Sequence, residues 1–398
     1  MMFFDRYCEG GGRQLIYLDN GATSRVDPEV IAVMSEVMNK NFANPSSLHD
    51  LGGKAERLVK QSREIMANIL KVSPRELIFT SGGTEANNLA IKGIAFAYQN
   101  RGSHLITTQI EHPSVFEVCK QLEEWGWDIT YLSVDAKGRV DPAEVKQAIT
   151  NKTVLVSIMH VNNEVGTIQP IREIGRILKD YPKIFFHVDA VQSFGKLPIY
   201  PQQWNIDLLS LSGHKIHGPK GVGALYLREG VQLSPLLVGG GQEQGIRSGT
   251  LNVPGIVGLA KASNLAYQKL AEKAEEVFQW KQAFLEQIKG QLSGFIINGD
   301  TTKQGGSPYI LNLSFPGLKS EVIVHFLESK NCYVSSKSAC SSKLEKPSRV
   351  LLEMGRTPKE ALGSIRISMG LDNSKEDLTT LAELLVSIIP TLQQMVKD

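Results

Sequence analysis

Lys215 stands in Ser210-Leu211-Ser212-Gly213-His214-Lys215, directly after the apolar run Ile206 to Leu211, with Gly218 and Gly221 beyond it. Such a run reads as a buried strand, which puts the lysine in the turn at the strand's carboxyl end, where open α/β sheets hold ligands. An amine placed there can condense with a carbonyl, and the flanking Ser212 and His214 can donate to an anion. Most lysines are solvated surface charges, so its neighbours must carry the argument. Phe79-Thr80-Ser81-Gly82-Gly83-Thr84 reads as a strand, a glycine pair and a helix start with Thr84 as N-cap, whose free N–H groups attract phosphate. Plain strand-to-helix turns carry glycines too. Asp189, in His187-Val188-Asp189, ends another apolar run, where a carboxylate is costly unless paired; capping a following helix is its commoner fate. His112, after Glu111, and Asn163, in His160-Val161-Asn162-Asn163, end two further strands and reach the same edge, although a packed histidine and a simple turn are the bland readings. Arg366, in the alternating Ser364-Ile365-Arg366-Ile367-Ser368, suits bidentate capture of a carboxylate, with a surface ion pair as the alternative.

A lysine, an anion cradle, a buried acid, a ring-stacking group and a carboxylate clamp are together what pyridoxal 5'-phosphate chemistry needs. Lys215 would carry the cofactor, and Gly83, Thr84, Ser212 and His214 would hold its phosphate. Asp189 would keep the pyridine nitrogen protonated, Gln192, one turn on, would bond the ring's phenolic oxygen, and His112 would stack on the ring. Asn163 would touch ring oxygen and substrate together.

These residues need a sheet to hold them. Strand-like and helix-like segments alternate along the chain, the pattern of an α/β fold with a mainly parallel sheet. Strands are expected at Leu77 to Thr80, His104 to Thr108, Val154 to Val161, Ile184 to Val188, Ile206 to Leu211 and Val222 to Leu227. Asp27-Pro28 opens an amphipathic helix as N-cap and first-turn proline. A long helical stretch, Ile256 to about Leu292, links to a smaller α+β part with a strand at Tyr309 to Phe315, a helix near Glu321 to Ser329 and a last helix from Lys375. The expected division is a large domain at 15–265 and a small one at 266–398 joined by 1–14.

With 398 residues, 42% hydrophobic and 21% charged, the chain can build two large cores, and a net charge of +2 gives no push toward nucleic acid or anionic membrane. Residues 1–12 do not read as a signal peptide, and no stretch approaches the roughly 18 apolar residues of a membrane span. Cys8, Cys119, Cys332 and Cys340 show neither CxxC spacing nor a zinc pattern, so no metal is expected and free thiols in a reducing, cytoplasmic compartment fit best.

The chain resembles the cysteine desulfurases of the NifS/IscS type, within the class V aminotransferase fold family. The resemblance runs from Tyr17-Leu18-Asp19-Asn20-Gly21-Ala22-Thr23 to Ser364–Gly370 and includes Gly239-Gly240-Gly241-Gln242-Glu243, Arg247-Ser248-Gly249-Thr250 and Ser338-Ala339-Cys340 besides the segments above. It implies the PLP-dependent transferase fold type I with a seven-stranded sheet. It assigns Lys215, His112, Asp189, Gln192, Thr84, Ser212 and His214 to the cofactor, Asn163 and Arg366 to the substrate carboxylate, and a part in proton transfer to His112. Thr250 would reach the phosphate of a neighbouring subunit, which implies a homodimer. Cys340 would accept sulfur as L-cysteine becomes L-alanine, and would pass its persulfide to a sulfur-acceptor protein, an iron–sulfur scaffold or a tRNA-thiolating enzyme. Its loop is rich in Ser and Lys, and Lys337 and Lys343 would favour the thiolate. Cys119 and Cys332 read as packed thiols.

Lys337 stands where the family's first group usually carries glycine, and the histidine-rich signature of the second group is missing. The chain ends at Asp398, soon after its last helix, without the tail that docks the iron–sulfur scaffold, which leaves the acceptor open. The alternatives are another class V enzyme, an aminotransferase or a selenocysteine lyase, and a PLP-fold platform without activity of its own.

Overall fold

The computed structural model describes residues 15–336 and 347–395. The expected sulfur acceptor Cys340, with Lys337 and Lys343, therefore lies outside the described residues. β1 (Ile16–Tyr17) is followed by seven strands: β2 (Leu77–Thr80), β3 (His104–Thr108), β4 (Asp128–Leu132), β5 (Thr153–Ser157), β6 (Phe185–Asp189), β7 (Leu208–Ser212) and β8 (Gly223–Leu227). Those seven form one sheet in the order β2-β8-β7-β6-β5-β3-β4, in which β8 runs antiparallel to both neighbours and the other pairs are parallel. β2, β3 and β5 to β8 are buried along their whole length, which is why they read as near-continuous apolar runs rather than alternating ones. The fold is α/β, as expected.

Helices cover both faces. Helices Pro28–Lys40, Asp50–Leu70 and Val253–Gln268 share one hydrophobic core with one face, and helices Gly83–Tyr98 and Pro113–Glu124 share another with the opposite face. β9 (Ile296–Asn298), β10 (Ile310–Ser314) and β12 (Ser364–Ser368) make an antiparallel sheet, while β11 (Cys332–Tyr333) pairs with β1. Helices Leu270–Gln291, Ser320–Ser329 and Lys375–Met395 pack there in a separate core that includes Ile16 and Leu18. Cys119 and Cys332 are both buried.

Three expectations change in detail. The strand expected at Val154 to Val161 keeps regular pairing only to Ser157. The N–H groups of Ile158 and His160 still reach the carbonyls of His187 and Asp189, and Asn162 then turns the chain by accepting from the Glu164 and Val165 N–H groups. The helical stretch expected from Ile256 to Leu292 starts earlier, at Val253, and breaks at Lys269, whose φ of −121° and ψ of 19° leave the helical region. Its first half packs on helices Pro28–Lys40 and Asp50–Leu70, whereas Val277, Phe284, Leu285 and Ile288 of its second half belong to the other core, so one straight rod would not serve both. Thr84 is not the N-cap: Gly82 is, and Thr84 lies in the first turn.

Among the described residues no helix is long and apolar enough to cross a membrane, and no cluster of three or more His, Cys, Asp or Glu side chains could hold a metal.

Candidate active site

The carboxyl ends of β3, β5, β6 and β7 open on one cleft, and ten of the twelve expected site residues line it: Gly83, Thr84, His112, Asn163, Asp189, Gln192, Ser212, His214, Lys215 and Arg366. Cys340 lies outside the described residues. Thr250 is exposed and does not line the cleft of its own chain.

Lys215 lies in the short turn after β7, and its Nζ donates to the carbonyls of Gly21 and Ala22, each at 2.6 Å. Asp189 ends β6 and is buried. Its Oδ2 accepts from Asn87 Nδ2 at 2.8 Å and its Oδ1 from the Val191 N–H at 2.9 Å. No helix follows it, so the capping alternative falls away. Burial pushes the Asp189 carboxyl up, while the Val191 and Asn87 bonds and the Lys215 charge pull it back. A cation facing this acid would replace solvation that the protein alone supplies only in part.

His112 caps helix Pro113–Glu124, and its Nδ1 accepts from the Ser114 N–H at 3.1 Å and contacts Ser114 Oγ at 2.8 Å. Asn87 Nδ2 donates to the same Oγ at 2.8 Å, so the Ser114 hydroxyl proton is directed at Nδ1 and the ring carries its own proton on Nε2. Burial, then the charges of Lys215, Arg366 and Arg349, push His112 down to about 4, which keeps it neutral near pH 7.

Arg366 sits inside β12 and is 1% exposed, which overturns the surface ion-pair alternative. Its Nη2 donates to Asp19 Oδ1 at 2.8 Å and its Nη1 to the Asn163 carbonyl at 3.0 Å, while Nε has no partner among the described residues. Gln192 donates to the Gly21 carbonyl at 3.0 Å, and its Oε1 is buried with no donor among the described residues. His214 Nδ1 lies 3.2 Å from Thr23 Oγ1.

The fit of pyridoxal 5'-phosphate rests on what these residues leave unsatisfied. Helix Gly83–Tyr98 has no side-chain cap among the described residues, which leaves its first N–H groups without a helical partner. Ser212 Oγ is buried with no partner among the described residues, and a Cβ built on Gly82 would sit 3.8 Å from it. Gly82 adopts a φ of 150°, and a Cβ on Gly83 would lie 2.6 Å from Val191 Cγ2, so both positions need glycine. A phosphate accepts from such N–H and O–H groups, and Gln192 Oε1 can take a phenolic proton. The donor set fits the cofactor.

Sequence reasoning gave no role to Asn87, Ser114 or Asp19, which link His112 to Asp189 and hold Arg366. Asn87 carried only a weak signal, the first of two adjacent amides, Asn87-Asn88, at the start of a largely apolar helix stretch. The partners of Asp19 and Ser114 become visible only when distant segments meet.

Residues 16–381 match the aminotransferase class-V family. The chain is 46% identical over 378 residues to the putative cysteine desulfurase IscS 1 of Bacillus subtilis, covering 95% of this chain and 99% of that one. It is 43% identical to the cysteine desulfurase IscS of Dictyoglomus turgidum, over 95% of each. A solved NifS-like protein superimposes with a TM-score of 0.89 at 38% identity, covering 95% of this chain and all of the other. A cleft built on this sheet edge, together with similarity along nearly the full length, places the chain in the class-V aminotransferase family, within its NifS/IscS cysteine desulfurase group.

Proposed function

We propose that the protein is a PLP-dependent cysteine desulfurase that converts L-cysteine to L-alanine and leaves the sulfur as a persulfide on Cys340. The observation that supports this best is the convergence of Lys215, Asp189 and the uncapped helix start at Gly83 on one cleft that Arg366 also enters. When bound, the cofactor supplies an electron-withdrawing ring that weakens bonds at the substrate's α-carbon. Asp189, held by Asn87 and Val191, keeps a charge opposite the ring nitrogen. Gly83, Thr84, Ser212 and His214 hold the phosphate, and Arg366, fixed by Asp19 and Asn163, takes the substrate carboxylate. Lys215 carries protons at its amine, and His112 presents one at Nε2.

The sulfur step balances within the protein. The Cys340 thiolate attacks the sulfur of the substrate, the Cβ–S bond breaks, and Cβ keeps the electron pair and takes up a proton. Sulfur is oxidised to the persulfide level as carbon is reduced to the methyl of alanine, so no outside oxidant is required. The persulfide then passes to a sulfur-acceptor protein serving iron–sulfur cluster assembly or tRNA thiolation.

The same proposal takes the protein as a homodimer in which Thr250 completes the neighbour's phosphate site, working in a reducing cytoplasm. It divides the chain into a cofactor-holding domain at 15–265 and a smaller one at 266–398 with 1–14, with Ile16 and Leu18 packing in the second core. Alanine and sulfide measured together from PLP-loaded protein given L-cysteine and a thiol reductant test this reading. Equal yields over many turnovers, abolished in Cys340→Ser, are expected; a Cys340→Ser protein that delivers sulfur at the full rate would sink it and favour another class V activity.

A further inference from the structure

Arg349, which no motif singled out, opens the short helix Arg349–Glu353 that follows the Cys340 segment. Its Nη2 donates to the Glu111 carbonyl at 2.6 Å, and its guanidinium carbon lies 3.6 Å from the centre of the Phe116 ring. Those two contacts bracket His112. Glu111 is the residue before it, and Phe116 lies one turn after it with its N–H on the His112 carbonyl at 3.0 Å. One planar cation therefore ties the peptide entering the cap to the helix leaving it.

The arginine is itself held. Ser348, just before it, accepts from the Leu351 N–H and donates to Glu164 Oε2, and Glu164 follows Asn163. The bracket thus joins the segment after β3 to the segment after its neighbour β5 through a segment remote in sequence from both.

We infer that Arg349 is a positioning residue for His112, bracing the first turn of helix Pro113–Glu124 so that Nδ1 stays on the Ser114 N–H and the ring proton stays on Nε2. The inference rests on the reading of His112 as a group that handles a proton. Without the guanidinium, the Glu111 carbonyl loses a charge-assisted bond and Phe116 loses the nearer of its two cations, Lys120 Nζ remaining 4.7 Å from the ring centre, and the cap is free to shift and weaken the 3.1 Å contact to Nδ1. A merely architectural role would be to pin helix Arg349–Glu353 against helix Pro113–Glu124, leaving His112 indifferent.

The test compares Arg349→Ala and Arg349→Lys with the unmodified full-length chain by nitrogen-15 NMR of labelled histidine, with His112→Gln used to assign the signal, and by kcat and KM for alanine formation. For Arg349→Ala the expected result is a His112 signal moved from the Nε2–H pattern toward mixed tautomers, with kcat down on the order of 10-fold and KM little changed. Arg349→Lys, which keeps the charge and a donor group but not the planar fork, recovers part of both. An unchanged His112 signal in Arg349→Ala overturns the inference, whether activity is kept or is lost together with melting temperature. Because the signal is read without turnover, a His112→Gln enzyme of full activity would remove the proton role of His112 and leave the brace decided by NMR.

Discussion

Glu111 immediately precedes His112 and is among the most buried acids of the chain, with Oε1 accepting from Thr108 Oγ1 at 2.8 Å and from the Met159 N–H at 3.0 Å. Its Oε2 has no partner among the described residues, and burial pushes the carboxyl up to about 8 against the pull of the Met159 and Thr108 bonds. A raised carboxyl means that the folded protein keeps a proton which the unfolded chain releases above its ordinary value near 4.3. Stability from this group is therefore full below that value and is lost as pH rises toward 8. Glu111→Gln keeps an acceptor and removes the titration, so its stability relative to the unmodified chain should improve between pH 5 and pH 8. The improvement should be on the order of 1 kcal/mol per pH unit at most. Urea unfolding at both pH values checks this, and the comparison cancels the shared contributions of His160 and His187, which burial holds neutral. A difference that stays flat with pH would show that Glu111 is ionised in the folded protein.

The phosphate cradle belongs to the next scale, the joint between β2 and helix Gly83–Tyr98. Gly83→Ala would place a methyl 2.6 Å from Val191 Cγ2, and Val191 supplies the N–H that Asp189 Oδ1 accepts. Overpacking of this kind costs about 1–3 kcal/mol. Here the strain falls on both ends of the cofactor site, so Gly83→Ala should weaken pyridoxal phosphate binding roughly 10-fold, as read by equilibrium dialysis of the cofactor, with a smaller change in melting temperature. Wild-type cofactor affinity in this variant would mean that Val191 yields freely. At this scale the strands were largely legible, because the buried ones announce themselves as apolar runs. The break at Lys269 was not, since the residues around it carry no glycine or proline and the bend answers to which core each half must meet.

Arg366 shows what the whole molecule contributes. It comes from β12, in the antiparallel sheet, yet it enters a cleft made by the ends of the seven-stranded one, held by Asp19 from the segment after β1 and by the Asn163 carbonyl after β5. Three remote segments meet at one guanidinium. Burial pushes the Asp19 carboxyl up while Arg366 pulls it down; the guanidinium is the buried partner and Asp19 stays partly exposed. Arg366→Lys keeps the charge but loses the planar fork, and KM for L-cysteine should rise about 10- to 100-fold, from a loss of about 1.5–3 kcal/mol in charge-assisted bonding. Steady-state kinetics checks this; an unchanged KM would give the carboxylate to another group.

The amino-acid order alone settled the class of the fold, the strand ends that meet at one edge and the family, because buried strands, glycine turns and motif spacing are local properties that each segment carries with it. It also put Lys215, Asp189, His112 and the glycine pair at those strand ends, since a residue following an apolar strand has few other places to be. Tertiary structure alone decided which tautomer His112 holds, that Asn87 and Ser114 join it to Asp189, that Arg366 is buried on Asp19, and that Arg349 reaches the Glu111 carbonyl. Those are contacts between residues up to 347 positions apart, whose partners are chosen by how the cores close and not by any pattern within either segment.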